Sequence, residues 1–231
     1  TIVRPSITYS RNRFQFGTVE ADVTVWRALR GLPVTIPEEI YDKKTTMTWA
    51  GDTARLIVKL VGKDSAFGQD YNIATSESRS WREIASIYSK AIGLKVKTVS
   101  TEDHIRAAGY PEVGYLIRYN RMYDRVIDNS KILEATGEVA GNLLTPEEGL
   151  KRELRAFKKD PQYVKIDYAK QARIDRLTNT LLPFKSIPRD DIAVYIKFRF
   201  PKIFVVGKKI KRVRDKAQRT PVLFISKLRA F

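Results

Sequence analysis

Tyr71-Asn72-Ile73-Ala74-Thr75-Ser76-Glu77-Ser78-Arg79-Ser80-Trp81-Arg82-Glu83-Ile84 holds the change of period on which the fold reading turns. Residues 71–74 read as a short strand. Ser80, with Glu83 three residues later, is a capping box in which each side chain satisfies an orphan backbone N–H. Ile84, Ile87, Tyr88 and Ala91 then recur at helical spacing as far as Gly93, which ends the helix. The same alternation extends both ways. Upstream, residues 1–9 read as a buried strand whose end Pro5 demotes to an edge, followed by the polar loop Ser10-Arg11-Asn12-Arg13. Val19, Val23, Trp26, Ala28 and Leu29 predict a helix over 18–29 with Gly31 as its stop, and strands are predicted over 32–36 and 45–49. Asp52 reads as the N-cap of a helix ending at Gly62. Downstream come a strand over 95–99, a helix over 101–108, a small helix between Asp128 and Gly137, and a second capping box at Thr145-Pro146-Glu147-Glu148. Strands alternating with helices make the class α/β.

Composition narrows the functions. With 231 residues, 43% of them hydrophobic, the chain can bury a real core, and no apolar run is long enough to cross a bilayer as a helix. It has no cysteine and one histidine, which excludes disulfides, a cysteine nucleophile and a multi-histidine metal site, and points to the cytoplasm. The net charge of +17 favours phosphate-rich partners or anionic surfaces. It is unevenly spread: residues 184–231 hold fourteen Lys and Arg against three Asp, or +11, leaving +6 for residues 1–183.

Several chemistries are missing. No two of the twelve glycines lie two or three apart, and none precedes Lys-Ser or Lys-Thr, so neither a dinucleotide loop nor a P-loop is present. No Gly-x-Ser-x-Gly elbow occurs, and His104 reads as a half-exposed structural histidine. The pairs Glu38-Glu39, Glu147-Glu148 and Asp190-Asp191 point in different directions along their elements and make poor acid/base sites. Arg11 and Arg13, and Arg118, Arg121 and Arg125 interleaved with Tyr115, Tyr119 and Tyr123, suit a diphosphate through forked hydrogen bonds; the competing reading is a solvated amphipathic segment.

The order of motifs resembles the extended short-chain dehydrogenase/reductases, the NAD-dependent epimerase/dehydratase family acting on nucleotide sugars. Thr1-Ile2-Val3-Arg4-Pro5-Ser6-Ile7-Thr8-Tyr9 resembles the strand entering that family's substrate lobe. Leu29-Arg30-Gly31-Leu32-Pro33-Val34, Thr48-Trp49-Ala50-Gly51-Asp52-Thr53-Ala54, Tyr71–Glu77 leading into Ser80-Trp81-Arg82-Glu83-Ile84, and Asp128-Asn129-Ser130-Lys131 follow in the family's order. The resemblance covers residues 1–178. It implies an α/β fold made of the end of a Rossmann-type sheet plus a small substrate-binding lobe, with 179–231 as a basic C-terminal extension. It implies Pro5, Ser6 and Ile7 beside the nicotinamide end of the cofactor, and Thr8, Tyr9, Arg11, Arg13 and Trp49 along the nucleotide-sugar cleft; Arg121 and Arg125 are added to the cleft on their own anion-binding chemistry. The family's asparagine near Ile7 and its Tyr-Gly pair at Tyr9-Ser10 are not matched.

The family's glycine-rich NAD(P) loop and Tyr-x-x-x-Lys pair belong to its first half, and none of the eleven tyrosines here has a lysine four residues on. The expectation is therefore a piece of a longer protein: a substrate-binding portion that needs a missing N-terminal cofactor-binding half, binds no NAD or NADP properly alone and catalyses nothing alone. A homodimer is compatible with it. The tail, with Lys208-Lys209-Ile210-Lys211-Arg212-Val213-Arg214 near Phe198, Phe200, Phe204, Phe224 and Phe231, suits an anionic membrane surface better than nucleic acid, for which no recognised motif is present. The alternative is a non-catalytic RNA-binding or membrane-peripheral module.

Overall fold

A computed structural model describes residues 1–202 and 205, except 110 and 164. The basic run 208–214 and Phe204, Phe224 and Phe231 lie outside the described residues. In chain order the elements are β1 (Ile2–Pro5), β2 (Ile7–Tyr9), α1 (Thr24–Ala28), β3 (Val34–Pro37), α2 (Glu38–Tyr41), β4 (Lys44–Trp49), α3 (Ala50–Val58), β5 (Asp70–Ile73), β6 (Ser78–Ser80) and α4 (Trp81–Ile92). They continue with β7 (Val96–Val99), α5 (Thr101–Ala108), α6 (Glu112–Leu116), α7 (Ser130–Thr136), α8 (Pro146–Lys159), α9 (Tyr168–Thr178) and α10 (Arg189–Arg199), and a π-helical turn, Ile117–Arg121, extends α6.

The strands form three small sheets: β1 with β5, β2 with β4 and β6, and β3 with β7. Every pairing is parallel except that of β4 with β6. Parallel pairing requires crossover connections, and helices supply them, packing over the sheets. Both capping boxes form: Ser80 Oγ accepts from Glu83 N while Glu83 Oε2 accepts from Ser80 N, and Thr145 and Glu148 repeat the arrangement ahead of α8. The two helices thus fixed at their N-termini, α4 and α8, pack together and bury Ile84, Tyr88, Leu150, Leu154 and Phe157 in the main core.

Four local expectations are corrected. Residues 1–9 are not one buried strand: β1 is mostly exposed, and past Ser6 the chain enters β2 in a different sheet. The helix over 18–29 shrinks to α1, because Gly17 at φ 58° reverses the chain and pairs Phe16 with Val19 as a bridge before any helix begins. Asp52 is not an N-cap: α3 starts at Ala50, and the buried Asp52 in its first turn accepts from Leu144 N (2.7 Å) and Arg55 Nη2 (2.8 Å), tying α3 to the loop before α8. His104 is buried rather than half-exposed, its Nε2 bonded to Thr18 Oγ1 (2.8 Å) and its Nδ1 to Thr35 Oγ1 (3.1 Å). Burial alone pushes its pKa down to about 4.

The chain beyond residue 178, where the resemblance ends, folds back as α10 along α9. Leu182, Ile187 and Tyr195 share a core with Trp26, Tyr168 and Ala172. A buried polar knot closes this contact. Arg27 on α1 donates to Pro33 O (2.7 Å), Gln171 Oε1 (2.9 Å) and Asp175 Oδ1 (2.6 Å), while Asp175 Oδ2 accepts from Leu182 N (3.1 Å) and from the Tyr195 hydroxyl.

Candidate functional site

β1 and β5 run parallel, so their carboxyl ends emerge side by side, the place where ligands sit in open α/β sheets. Ser6 N donates to Ile73 O there (2.9 Å). Its hydroxyl meets Thr48 Oγ1 at 2.6 Å, and the same Thr48 oxygen accepts from Thr75 N (2.9 Å). Thr8 Oγ1 bonds back to Ser6 O (3.2 Å). Three strands are therefore sewn together by hydroxyls at one edge. Asn129, within the Asp128-Asn129-Ser130-Lys131 motif, braces that edge by donating to Ala74 O and Ser76 Oγ, both at 2.9 Å. Pro5 lies exposed at the end of β1, and Ile7 is half-buried against the main core.

Tyr9 and Trp49 are register partners at the ends of β2 and β4. Tyr9 is buried; its phenol donates to Thr145 O (3.4 Å), and desolvation, then the Asp52 carboxylate, raise its pKa. The contact requires glycine at 149, where a Cβ would stand 1.9 Å from the Tyr9 oxygen. Trp49 donates its indole N–H to Glu153 Oε1 (2.8 Å) and carries the Arg152 guanidinium 4.4 Å above its ring. Both aromatics are thus engaged in seating α8 on the sheet.

The arginines separate into two groups. Arg11 is exposed beside α8, its backbone N–H held by Glu153 Oε2 (2.8 Å), next to a cavity of about 320 Å³ lined by Asn12, Phe157, Asp160 and Gln162. Arg13, Arg121 and Arg125 gather elsewhere. Arg121 is 6% exposed, yet its guanidinium has no carboxylate partner among the described residues. It donates to Gly17 O (3.1 Å), Gln15 Oε1 (3.1 Å) and Asn120 Oδ1, and its carbon lies 5.7 Å from the Trp81 ring centroid. Burial first, then the charges of Arg125 and Arg13, push its pKa down to about 10. Three of its five N–H groups are used. Arg13 donates to Glu20 Oε1 (3.2 Å), whose second oxygen is buried with no partner among the described residues. Arg125 is held by its backbone, N to Lys44 O (2.9 Å) and O from Thr46 Oγ1 (2.8 Å), with no ion pair among the described residues. The expected trio with Arg118 does not form: Arg118 pairs with Glu102, while Tyr115, Tyr119 and Tyr123 are 62%, 75% and 63% exposed. Gln15, Glu20, Thr48 and Thr75 belong to the site without having been singled out as site residues in the sequence.

The architecture matches solved structures over part of their length. A UDP-glucose 4-epimerase from Thermotoga maritima, determined with UDP-glucose, superposes with a TM-score of 0.51 at 18% identity, over 69% of this chain and 46% of that one. An epimerase of Burkholderia cenocepacia described as such by inference gives 0.50 at 18% identity over 68% and 46%, and Pal from Bacillus thuringiensis 0.50 at 18% over 68% and 45%. The chain therefore shares the fold of part of these proteins, and spans a little under half their length. No family model matches the sequence, and no curated protein does.

Proposed function

We propose that residues 1–178 are the substrate-binding lobe of an NAD(P)-dependent nucleotide-sugar epimerase, dehydratase or reductase, with 179–231 as its basic extension, in the cytoplasm. The observation that carries this reading is Arg121: a buried guanidinium hydrogen-bonded only to neutral oxygens, with two N–H groups unspent, close to Arg13 and Arg125. Among the described residues, Glu20 is the one carboxylate acting on it. Burying an unpaired cation is costly unless an anion completes the site. A diphosphate does so, taking forked hydrogen bonds from Arg121 and charge from Arg125. Glu20 holds Arg13 and would yield it to the phosphate.

The same reading sets Pro5, Ser6 and Ile7 at the wall facing the nicotinamide, and Thr8, Tyr9 and Trp49 behind the sugar. The fit to the cofactor is partial. The hydroxyl-stitched carboxyl edge supplies a wall, but the chain offers no closely spaced glycines for a pyrophosphate loop. NAD(P), when bound, would exchange a hydride with the sugar. Ser6 and Thr48 would keep the edge closed and ordered, and proton transfer would fall to a tyrosine on the cofactor-binding half. That half has a docking place in β1, which pairs only with β5 among the described residues. Parallel strands are ordinarily flanked on both sides, and Ile2, Val58, Val61 and Phe67 stand exposed beside it.

The test is calorimetric titration of the chain with UDP, UDP-glucose and glucose. UDP and UDP-glucose should bind and glucose should not, and Arg125→Met should weaken UDP about tenfold or more, the loss expected of one charged hydrogen bond. Equal binding of all three, or none, overturns the reading. NAD(P) should show no turnover until the other half is supplied.

A further inference from the structure

We infer that the end of α10 is a contact surface for an anionic lipid bilayer. This lies outside the nucleotide-sugar site and does not depend on it. A cavity of about 520 Å³ opens between α9 and the end of α10, lined by Arg176, Arg199, Phe200, Pro201 and Lys202, with no carboxylate among these residues. Arg199 is oriented by donating Nε to Thr180 O (3.0 Å) and lies 4.7 Å over the Phe200 ring. Arg173 and Lys197 each sit 5.1 Å from the Phe198 ring. Arg176 and Lys202 are exposed and make no ion pair among the described residues. Three cations therefore lie on the Phe198 and Phe200 rings and two more line the cavity beside them, with Asp103 on α5 facing Arg176.

Two observations select a lipid surface. The segment carrying the cations leaves Leu181, Phe184, Val194 and Val205 exposed, at 39–54%, so apolar side chains accompany the charges. Phosphate recognition on nucleic acid does not need them, whereas a peripheral patch on a bilayer can set such residues among the headgroups while its basic residues hold the phosphates. Residues 201–231 continue the composition, with ten Lys and Arg against Asp215 alone and with Phe204, Phe224 and Phe231. The sequence that follows Lys202 is therefore basic and aromatic as well.

Vesicle co-sedimentation of the full chain tests this. It should sediment with phosphatidylcholine vesicles containing phosphatidylglycerol, release as salt rises, and stay in solution with phosphatidylcholine alone. Each basic charge removed near such a surface should cost about fivefold in partitioning, so Arg176→Gln with Lys202→Gln should lose about thirtyfold. Arg176→Lys with Lys202→Arg should keep it, and unchanged unfolding midpoints verify that both fold. Unaltered binding by the glutamine variant, equal binding to neutral vesicles, or no vesicle binding overturns the inference. So does tight binding of a single-stranded RNA oligonucleotide that the glutamine variant abolishes while vesicles are ignored.

Discussion

Arg27 and Arg121 are both buried, and their surroundings differ in kind. Arg27 spends its donors on Pro33, Gln171, Asp175 and Thr180, and Asp175 in turn is filled by Leu182 N, Thr180 and Tyr195. Four of the five Arg27 N–H groups are used there, one of them on a buried carboxylate. Arg121 meets only carbonyl and amide oxygens, has like charges near it, and keeps two donors. A closed polar network fixes one arrangement of elements, here α1, α9 and α10. An open one holds a charge ready for something that arrives from outside.

The sharpest break in this contrast is Asp175→Ala. It leaves Arg27 buried without its anion, and breaking a buried pair costs about 3–5 kcal/mol. Urea unfolding should show that loss, and Arg27→Met combined with Asp175→Leu should recover most of it, since removing both charges also removes the desolvation cost. If Asp175→Ala costs no more than a surface change, the knot is not what seats α9 and α10.

His104 is a second closed site, and its effect appears with pH. Its pKa in the fold is about 4 against 6.5 in the open chain, so between these values the unfolded state binds more protons. Stability from this group is complete above pH 6.5 and is lost as pH falls toward 4, by about 3 kcal/mol at the lower end. His104→Gln should flatten that part of the pH–stability curve relative to the parent. A parallel curve for the two proteins would mean the imidazole charges without penalty.

Gly149→Ala tests whether Tyr9 is equally closed. The added methyl meets the Tyr9 oxygen at 1.9 Å and ring carbons at 2.8 and 3.0 Å. Overpacking of this kind costs about 1–3 kcal/mol, while Gly141→Ala, with nothing within 4 Å, should cost under about 0.5 kcal/mol. Near-equal thermal midpoints for the two variants would show that α8 can shift to free Tyr9.

The contrast between closed and open sites also explains what the sequence could convey. The capping boxes at Ser80 and Thr145 act over three residues, so α4 and α8 are readable locally. The ordered motifs likewise place β1, β2, β4 and β5 in an α/β lobe, because hydrophobic period and turn residues are local too. Gln171, Asp175 and Tyr195 read as surface polar residues, since their burial depends on Arg27 nearly 150 residues earlier. α9 and α10 have no comparably local signal in the sequence for that reason. In the site, Arg13, Arg121 and Arg125 are legible as diphosphate-type residues. That Arg118 leaves the group for Glu102, and that Gln15 joins it across 106 residues, is decided by packing alone.

A modest change in stability should come from the other side of the contrast. Arg121→Met removes a cation that makes no ion pair among the described residues, takes its favourable charge away from Glu20, and leaves three neutral oxygens to find other donors, at about 1 kcal/mol or more. Its unfolding midpoint should therefore stay near that of the parent, while calorimetry finds UDP binding weakened about tenfold or more. A large loss of stability would make Arg121 a second Arg27, a strut between the 13–20 loop and the π-helical turn. Retained stability with retained UDP affinity would instead leave the two free donors without a ligand and move the phosphate site away from Arg121. Only the divergence of the two measurements, stability kept and binding lost, separates an anion-holding residue from a structural one.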